Sequence, residues 1–207
     1  MNIDRCDQIA KEKMSKSKAH LERETGYIYN HGRRTGRLAL QLARNFLPAN
    51  HIDSQTVHVA CLFHDLGKSL EPHAKTGALL AKEYLKEECN PVELERISFL
   101  ISQHPYRKTG KYPGDTELQL IQDADILDHF GTQEIWLQFL HSSNTSQSPR
   151  DAVGHWQGEW FRNHVKSCRA LLNFEFSIAE YDTRVSFTEQ FITRFAQESE
   201  GMLAVGS

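Results

Sequence analysis

Residues 57–68 read VHVACLFHDLGK. Its apolar residues recur at helical spacing, in a stripe made of Val57, Ala60, Cys61 and His64. Asp53 or Ser54 can cap the beginning of such a helix, and Gly67 is well placed to end it. The stretch therefore predicts a buried helix with an imidazole facing the core near its end.

The flanking segments show the same helical periodicity. Residues 29–47 carry an apolar stripe that His31 extends by one turn, and Pro48 ends the segment. Another helix is predicted after Asn90 as the cap, and its stripe ends at His104. Further helical segments are predicted at about 73–87, 116–130, 158–173 and 176–198. Strict alternation typical of strands is not convincing anywhere, so we predict an all-α helical bundle.

Length and composition narrow the class of protein. The 207 residues suit one domain over 1–207, with a core at about 25–135, a polar linker at 141–150 and C-terminal helices at about 152–199 packing on the core. The net charge of −3 argues against long nucleic acid as a partner. Because the N-terminus is polar, we expect no signal sequence there. The charged residues among the first 24 positions are interpreted as a solvated helix face. We also expect no membrane span, because no apolar run is long enough to form one. Scattered cysteines fit a reduced compartment, so we expect a cytoplasmic protein.

Histidines occupy the positions where chemistry is expected. Three predicted helices carry a histidine on an apolar stripe where leucine or isoleucine would be usual, and a buried imidazole needs a partner. His64 is followed directly by Asp65, so adjacent nitrogen and oxygen donors can reach one cation. The residues therefore predict a divalent metal ion in the core. A donor set of imidazole and carboxylate does not distinguish Mn, Mg, Fe, Co, Ni or Zn.

These motifs carry a resemblance to a known family. FHDLGK at 63–68, His31 followed by Arg34, and ADIL at 124–127 resemble the HD phosphohydrolase superfamily. ISQHPY and the later IQDADILDHFG are similar to the small bacterial HD hydrolases that cleave nucleotide phosphoanhydrides. The resemblance covers most of residues 25–199. It implies an HD-domain helical bundle with the metal site in its core.

The resemblance also implies a ligand set. The family pattern makes the metal ligands His31, His64, Asp65 and Asp125. Asp123 and Asp128 are the alternatives for the last ligand, and helical spacing puts Asp125 and Asp128 on the same face. We choose Asp125 because it occupies the acid position of the family's ADxL pattern. His73, eight residues after Asp65, is interpreted as a helix-start or surface residue.

The expected chemistry is hydrolysis at phosphorus. A divalent ion polarises a phosphoryl oxygen and lowers the pKa of bound water. Fixed cations must then meet the charge on the phosphoryl oxygens, and the candidates for substrate binding are Arg34, Lys68 and Arg107 of the basic loop. Asp65, Lys68 and His104 are the candidate catalytic residues, and His104 could bind phosphate, relay a proton or bind a second metal. The resemblance implies a small phosphorylated substrate, a nucleotide or a related anhydride.

Two other functions stay open on the sequence. A di-iron oxygenase of the HD type would use His73 and His104 as extra ligands. A nucleotide-sensing module would keep the pocket without turnover. A homodimer could form through the exposed halves of the tryptophan-containing C-terminal helices, although packing on the core would explain the same residues.

Overall fold

The computed structural model describes residues 1–16 and 23–203, and these residues form ten α-helices and no β-strand. The helices in chain order are α1 (Ile3–Met14), α2 (Tyr27–Phe46), α3 (Ser54–Phe63), α4 (His73–Leu85), α5 (Pro91–Gln103), α6 (Thr116–Asp128), α7 (Thr132–Asn144), α8 (Pro149–Gln157), α9 (Glu159–Leu171) and α10 (Glu175–Ser199). The all-α prediction is confirmed. None of the described helices has the length and apolar character that a membrane span requires.

Two helix starts follow the capping residues seen in the sequence. The side chain of Asp53 accepts hydrogen bonds from the backbone N–H groups of Gln55 and Thr56 at 3.0 and 3.2 Å. Asn90 and Glu93 form a reciprocal capping box at the start of α5. Both caps satisfy N–H groups that have no partner inside the helix.

The chain divides into two compact units, Met1–Asp128 and a second that begins at His129. The interpretation of the whole chain as one domain stays a prediction. In the first unit α2 packs against α3 and α6, and α4 packs against α5. A Cβ at Gly32 would lie 2.5 Å from the carbonyl oxygen of Leu62, so glycine permits the close approach of α2 to α3.

Helix α6 is buried on nearly every side. All nine residues from Leu120 to Asp128 are buried, and three of them are the aspartates Asp123, Asp125 and Asp128. A buried carboxylate is costly unless cations or hydrogen-bond donors surround it. The groups that pair with these aspartates therefore indicate where this unit could bind a cation.

Two regions differ from the sequence-based expectations. Helix α1 exposes charged residues, as expected, but buries Cys6, Ile9, Ala10 and Met14; residues 17–22 of the same stretch lie outside the described residues. The segment 141–150 is not one polar linker, because α7 continues to Asn144 and α8 begins at Pro149. Ser148 and Asp151 form a capping box there. This capping pair is visible in the sequence, but the polar residues around it made the start of α8 hard to recognise.

The second unit has an aromatic core. Buried Trp156 and Phe161 pack with Ile135, Ala152 and Ile192, and partly buried Phe139, Phe191 and Phe195 pack against them. The hydroxyl of Tyr181 donates to the carbonyl oxygen of Val165 at 2.9 Å. Trp136 and Trp160 do not belong to this core, since they are 49% and 64% exposed.

Glu134 of α7 makes the stability of the second unit depend on pH. Burial disfavours its carboxylate and raises its pKa to about 7, although Nε1 of Trp156 donates to Oε1 at 2.7 Å. The folded state therefore keeps a proton that the unfolded state releases near pH 4.5, so stability falls as pH rises from there to about 7. We expect Glu134→Gln, which keeps the acceptor oxygen, to raise the free energy of unfolding at about pH 8 by roughly 1–3 kcal/mol.

Urea unfolding followed by tryptophan fluorescence checks this expectation. The gain should shrink as pH falls toward the ordinary pKa of glutamate, because both states then hold the proton. Glu175→Gln is a control at an exposed position of α10 and should not raise the free energy of unfolding at about pH 8. A gain for Glu134→Gln that is equal at both ends of the pH range would contradict the explanation.

Candidate metal centre

Three helices of the first unit bring four buried donors together. His31 lies in α2, His64 is the C-cap residue of α3 and Asp65 follows it, while Asp125 lies in α6. Their exposed fractions are 0%, 1%, 3% and 8%, respectively. The four residues that the sequence suggested as metal ligands are therefore neighbours in the interior.

The donor atoms lie at distances that one ion can bridge. Nε2 of His31 is 3.2 Å from Nε2 of His64 and 3.1 Å from Oδ1 of Asp125. Nε2 of His64 is 3.6 Å from Oδ1 of Asp125 and 3.9 Å from Oδ2 of Asp65. Two ligands bound to one cation at about 2.1 Å stand roughly 3.0–3.4 Å apart. The shorter of these separations match that range.

Hydrogen bonds orient both imidazole rings. Nδ1 of His64 donates to the carbonyl oxygen of Cys61 at 2.6 Å, and Nδ1 of His31 donates to Oδ2 of Asp128 at 2.7 Å. These oxygens only accept, so Nδ1 carries the hydrogen in each ring and Nε2 faces the other donors. Two facing Nε2 lone pairs repel each other unless positive charge lies between them. The donor set therefore fits a divalent cation.

The electrostatics favour positive charge at this position. Burial disfavours the charged ring of His31, but hydrogen bonds to Asp125 and Asp128 outweigh it and raise the pKa of His31 to about 9. Burial also disfavours the carboxylate of Asp65, yet His64 and Lys68 hold its pKa well below the usual range. The carboxylate of Asp65 thus stays ionised in the interior, where it attracts a cation.

Two basic side chains pair with acids of the cluster formed by His31, His64, Asp65 and Asp125, and a third lies beside it. Nζ of Lys68 is 3.2 Å from Oδ1 and 3.1 Å from Oδ2 of Asp65. Nη2 of Arg107 donates to Oδ2 of Asp125 at 2.6 Å. Arg34 does not contact a cluster donor in this way, because its Nε and Nη2 donate to Asp128 at 2.8 and 2.9 Å.

A second group of donors adjoins the first. Asp65, His73 and His104 place one ligand atom each within 4.8 Å of one another. Nδ1 of His104 donates to the carbonyl oxygen of Ile101 at 2.7 Å, and its Nε2 faces Oδ1 of Asp65 at 4.0 Å. Burial lowers the pKa of His104 to about 3, so the ring is neutral. His73 begins α4, as expected from the sequence, but it is half-buried beside His104 with ring centroids 5.7 Å apart.

The two alternative acids of α6 have different surroundings. Asp128 holds Nδ1 of His31, on the side of the ring opposite to the cluster. Asp123 is fully buried but belongs to none of the possible metal-binding groups among the described residues. The contact of Asp128 with His31 is a feature that sequence reasoning missed. Its only signal was the face that Asp128 shares with Asp125.

Comparisons with known proteins agree with this arrangement. Residues 28–129 match the model of the HD domain family. No curated protein sequence matches the chain.

Among solved structures, an HD-superfamily hydrolase from Bacillus thuringiensis aligns over 95% of both chains at 22% identity with a TM-score of 0.68. Bacillus subtilis YpgQ in complex with ADP covers 93% of this chain and 97% of its own at 19% identity, with a TM-score of 0.64. A predicted HD-superfamily hydrolase from an uncultured Thermotogales bacterium covers 95% and 92% at 20% identity, with a TM-score of 0.61. At these identities the likeness shows a shared fold.

Proposed function

Because residues 28–129 make this chain a member of the HD domain family, we propose that it is a metal-dependent phosphohydrolase that cleaves a phosphoanhydride or phosphomonoester bond of a nucleotide or similar small metabolite. The observation that carries this proposal is the buried pair of Nε2 atoms 3.2 Å apart, flanked by carboxylates. The HD-superfamily hydrolases among the similar structures support the same class of activity.

The proposed metal ligands are His31, His64, Asp65 and Asp125. A divalent ion held there supplies a Lewis acid and lowers the pKa of bound water, so that hydroxide is available near neutral pH. Its identity is not distinguished by this donor set, because imidazole and carboxylate suit several divalent metals.

The chain's own residues supply the rest of the reaction. Lys68 forms an ion pair with Asp65, and Arg107 forms one with Asp125. A phosphoryl group that binds at these residues therefore lies close to fixed positive charge. Neutral His104 presents the lone pair of Nε2 toward Asp65 and can accept a hydrogen bond from a substrate or water there. Asp65 has one oxygen toward His64 and the other toward His104, which suits a residue that binds the metal and lies beside the imidazole of His104.

The nucleotide part of the proposal has separate support. YpgQ, which shares the fold, was crystallised in complex with ADP. The cations around the cluster suit the phosphates of such a ligand, since guanidinium and ammonium groups bind phosphate oxygens. The charge of −3 on the chain agrees with a small substrate and not with long nucleic acid.

A product assay tests the proposal. Chelator-treated protein is incubated with nucleoside mono-, di- and triphosphates, with Mn²⁺, Mg²⁺, Co²⁺ or Ni²⁺ added in turn, and phosphate and pyrophosphate are measured separately. We expect release that requires metal and disappears in Asp65→Ala. Pyrophosphate as the product identifies cleavage within a triphosphate, and phosphate from monophosphates identifies ester hydrolysis. Saturable nucleotide binding with no product would instead support the sensing module.

A second candidate is the di-iron oxygenase, and the group of Asp65, His73 and His104 favours it. Asp65 belongs both to this group and to the group of His31 and His64, so it could bridge two ions. Iron content separates the candidates: two irons per chain, reduced to one in a double variant His73→Ala and His104→Ala, would support the oxygenase. A single ion that survives this double variant supports the hydrolase with one metal.

A further inference from the structure

A series of hydrogen bonds links the proposed metal ligands to a partly exposed cation. It runs from His31 through Asp128 to Arg34. Nδ1 of His31 lies 2.7 Å from Oδ2 of Asp128. Arg34 then donates to Asp128 twice, from Nε to Oδ1 at 2.8 Å and from Nη2 to Oδ2 at 2.9 Å. This fork-like pairing holds the plane of the carboxylate as well as its charge.

The three residues come from two helices. His31 and Arg34 lie one turn apart on α2, and Asp128 is the last residue of α6. Asp128 is 4% exposed, so its charge is compensated by these two partners and not by bulk water. Asp128 therefore acts as an anion toward the imidazole.

The Nδ1 hydrogen of His31 has a different kind of acceptor from that of His64. His64 gives its Nδ1 hydrogen to a neutral carbonyl oxygen, at Cys61. His31 gives it to a carboxylate, which is the stronger acceptor and increases the electron density on Nε2. Among these two rings His31 is thus the better electron donor to a cation at Nε2.

Resting on the proposed metal centre, we infer that Asp128 is a positioning residue that fixes the tautomer and orientation of His31 for metal binding, and that Arg34 acts by holding Asp128. This assigns Arg34 a different role from the phosphate contact expected from the sequence. Two of its nitrogens are already given to Asp128, which leaves fewer donors for a substrate.

The affinity of the metal-free protein for Mn²⁺ tests the inference without any substrate. Free Mn²⁺ is counted by electron paramagnetic resonance during a titration of wild type, Asp128→Asn, Arg34→Gln and Asp182→Asn. Asp182 is a matched control because it forms an exposed two-point pair with Arg169, at 2.7 and 2.8 Å, that includes no histidine. We expect the dissociation constant to rise about 10–100-fold in Asp128→Asn, to rise less in Arg34→Gln, and to stay unchanged in Asp182→Asn.

A second measurement separates positioning from a general loss of structure. Long-range ¹H–¹⁵N spectra of the histidine rings report which nitrogen carries the hydrogen. At a pH above 9, where the ring of His31 is neutral, we expect wild-type His31 to have its hydrogen on Nδ1, and a mixture of tautomers in Asp128→Asn. Arg34→Gln retains the carboxylate of Asp128 but removes the guanidinium that holds it, so it tests the same series of contacts if Asp128→Asn fails to fold.

The outcomes are distinct from those of the proposed function. Wild type that binds no Mn²⁺ overturns both proposals. Wild type and Asp128→Asn with equal affinity and the same His31 tautomer overturn only the positioning role. An Arg34→Gln protein with unchanged Mn²⁺ affinity but a raised KM for a phosphorylated substrate returns Arg34 to a phosphate contact and overturns its assignment here.

Discussion

Replacing Asp65 with asparagine is expected to lower metal-dependent product release by about a thousandfold. Asp65 is 3% exposed and lies between the two groups of donors, 3.9 Å from Nε2 of His64 and 4.0 Å from Nε2 of His104. Asparagine has nearly the same shape but lacks the negative charge that attracts the cation and balances Lys68. The variant therefore loses a proposed ligand and the negative charge beside His104 together.

Controls separate this loss from unfolding. Far-ultraviolet circular dichroism and urea unfolding establish whether Asp65→Asn keeps the helical fold. Asp182→Asn removes a carboxylate that has no part in the cluster, and its product release should equal that of wild type. An Asp65→Asn protein that is folded and retains most of the metal-dependent release would contradict the proposed role of Asp65.

Replacing Gly67 with valine should lower the free energy of unfolding by about 3 kcal/mol, because this position has no room for a side chain. A Cβ there would overlap the carbonyl oxygen of His73 and lie 2.7 Å from the backbone nitrogen of Gly77. Backbone atoms cannot rotate away as a flexible side chain can, so the start of α4 must shift. That shift would move His73 away from His104.

Gly114→Val is the matched control for this prediction. It lies in the same unit, and an added Cβ there meets no atom within 4 Å. Its free energy of unfolding should change by no more than about 0.5 kcal/mol. Urea unfolding of both variants checks the difference, and equal losses would show that the close approach of the two glycines is not the cause.

Local patterns in the sequence were sufficient for much of the fold. The stripe of Val57, Ala60 and Cys61 predicted a buried helix, and all three residues have no exposed surface. The cap at Asn90 was also predicted from local sequence, because capping depends on residues a few positions apart. Helix α8 was missed although its cap was visible, because its neighbourhood is polar and its buried face consists of only Ala152 and Trp156.

Contacts in the site between residues that are far apart in the sequence were harder to predict. Asp128 is separated from His31 by 97 positions, and no local pattern indicates that the two residues meet. The position of His73 depends on how the chain turns between Gly67 and α4, which a spacing of eight residues does not specify. The assignment of His31, His64, Asp65 and Asp125 as ligands stays a prediction, supported by the proximity of their donor atoms.

The number of metal ions bound per chain tests the central proposal most directly. Protein purified without chelator, and chelator-treated protein reloaded with Mn²⁺, are analysed by elemental mass spectrometry for wild type and for His64→Ala. We predict about one ion per wild-type chain and a loss of bound metal in the variant, because His64 supplies one of the two facing Nε2 atoms. Wild-type protein without bound metal after reloading, or a His64→Ala protein that binds as much as wild type, would contradict the proposal.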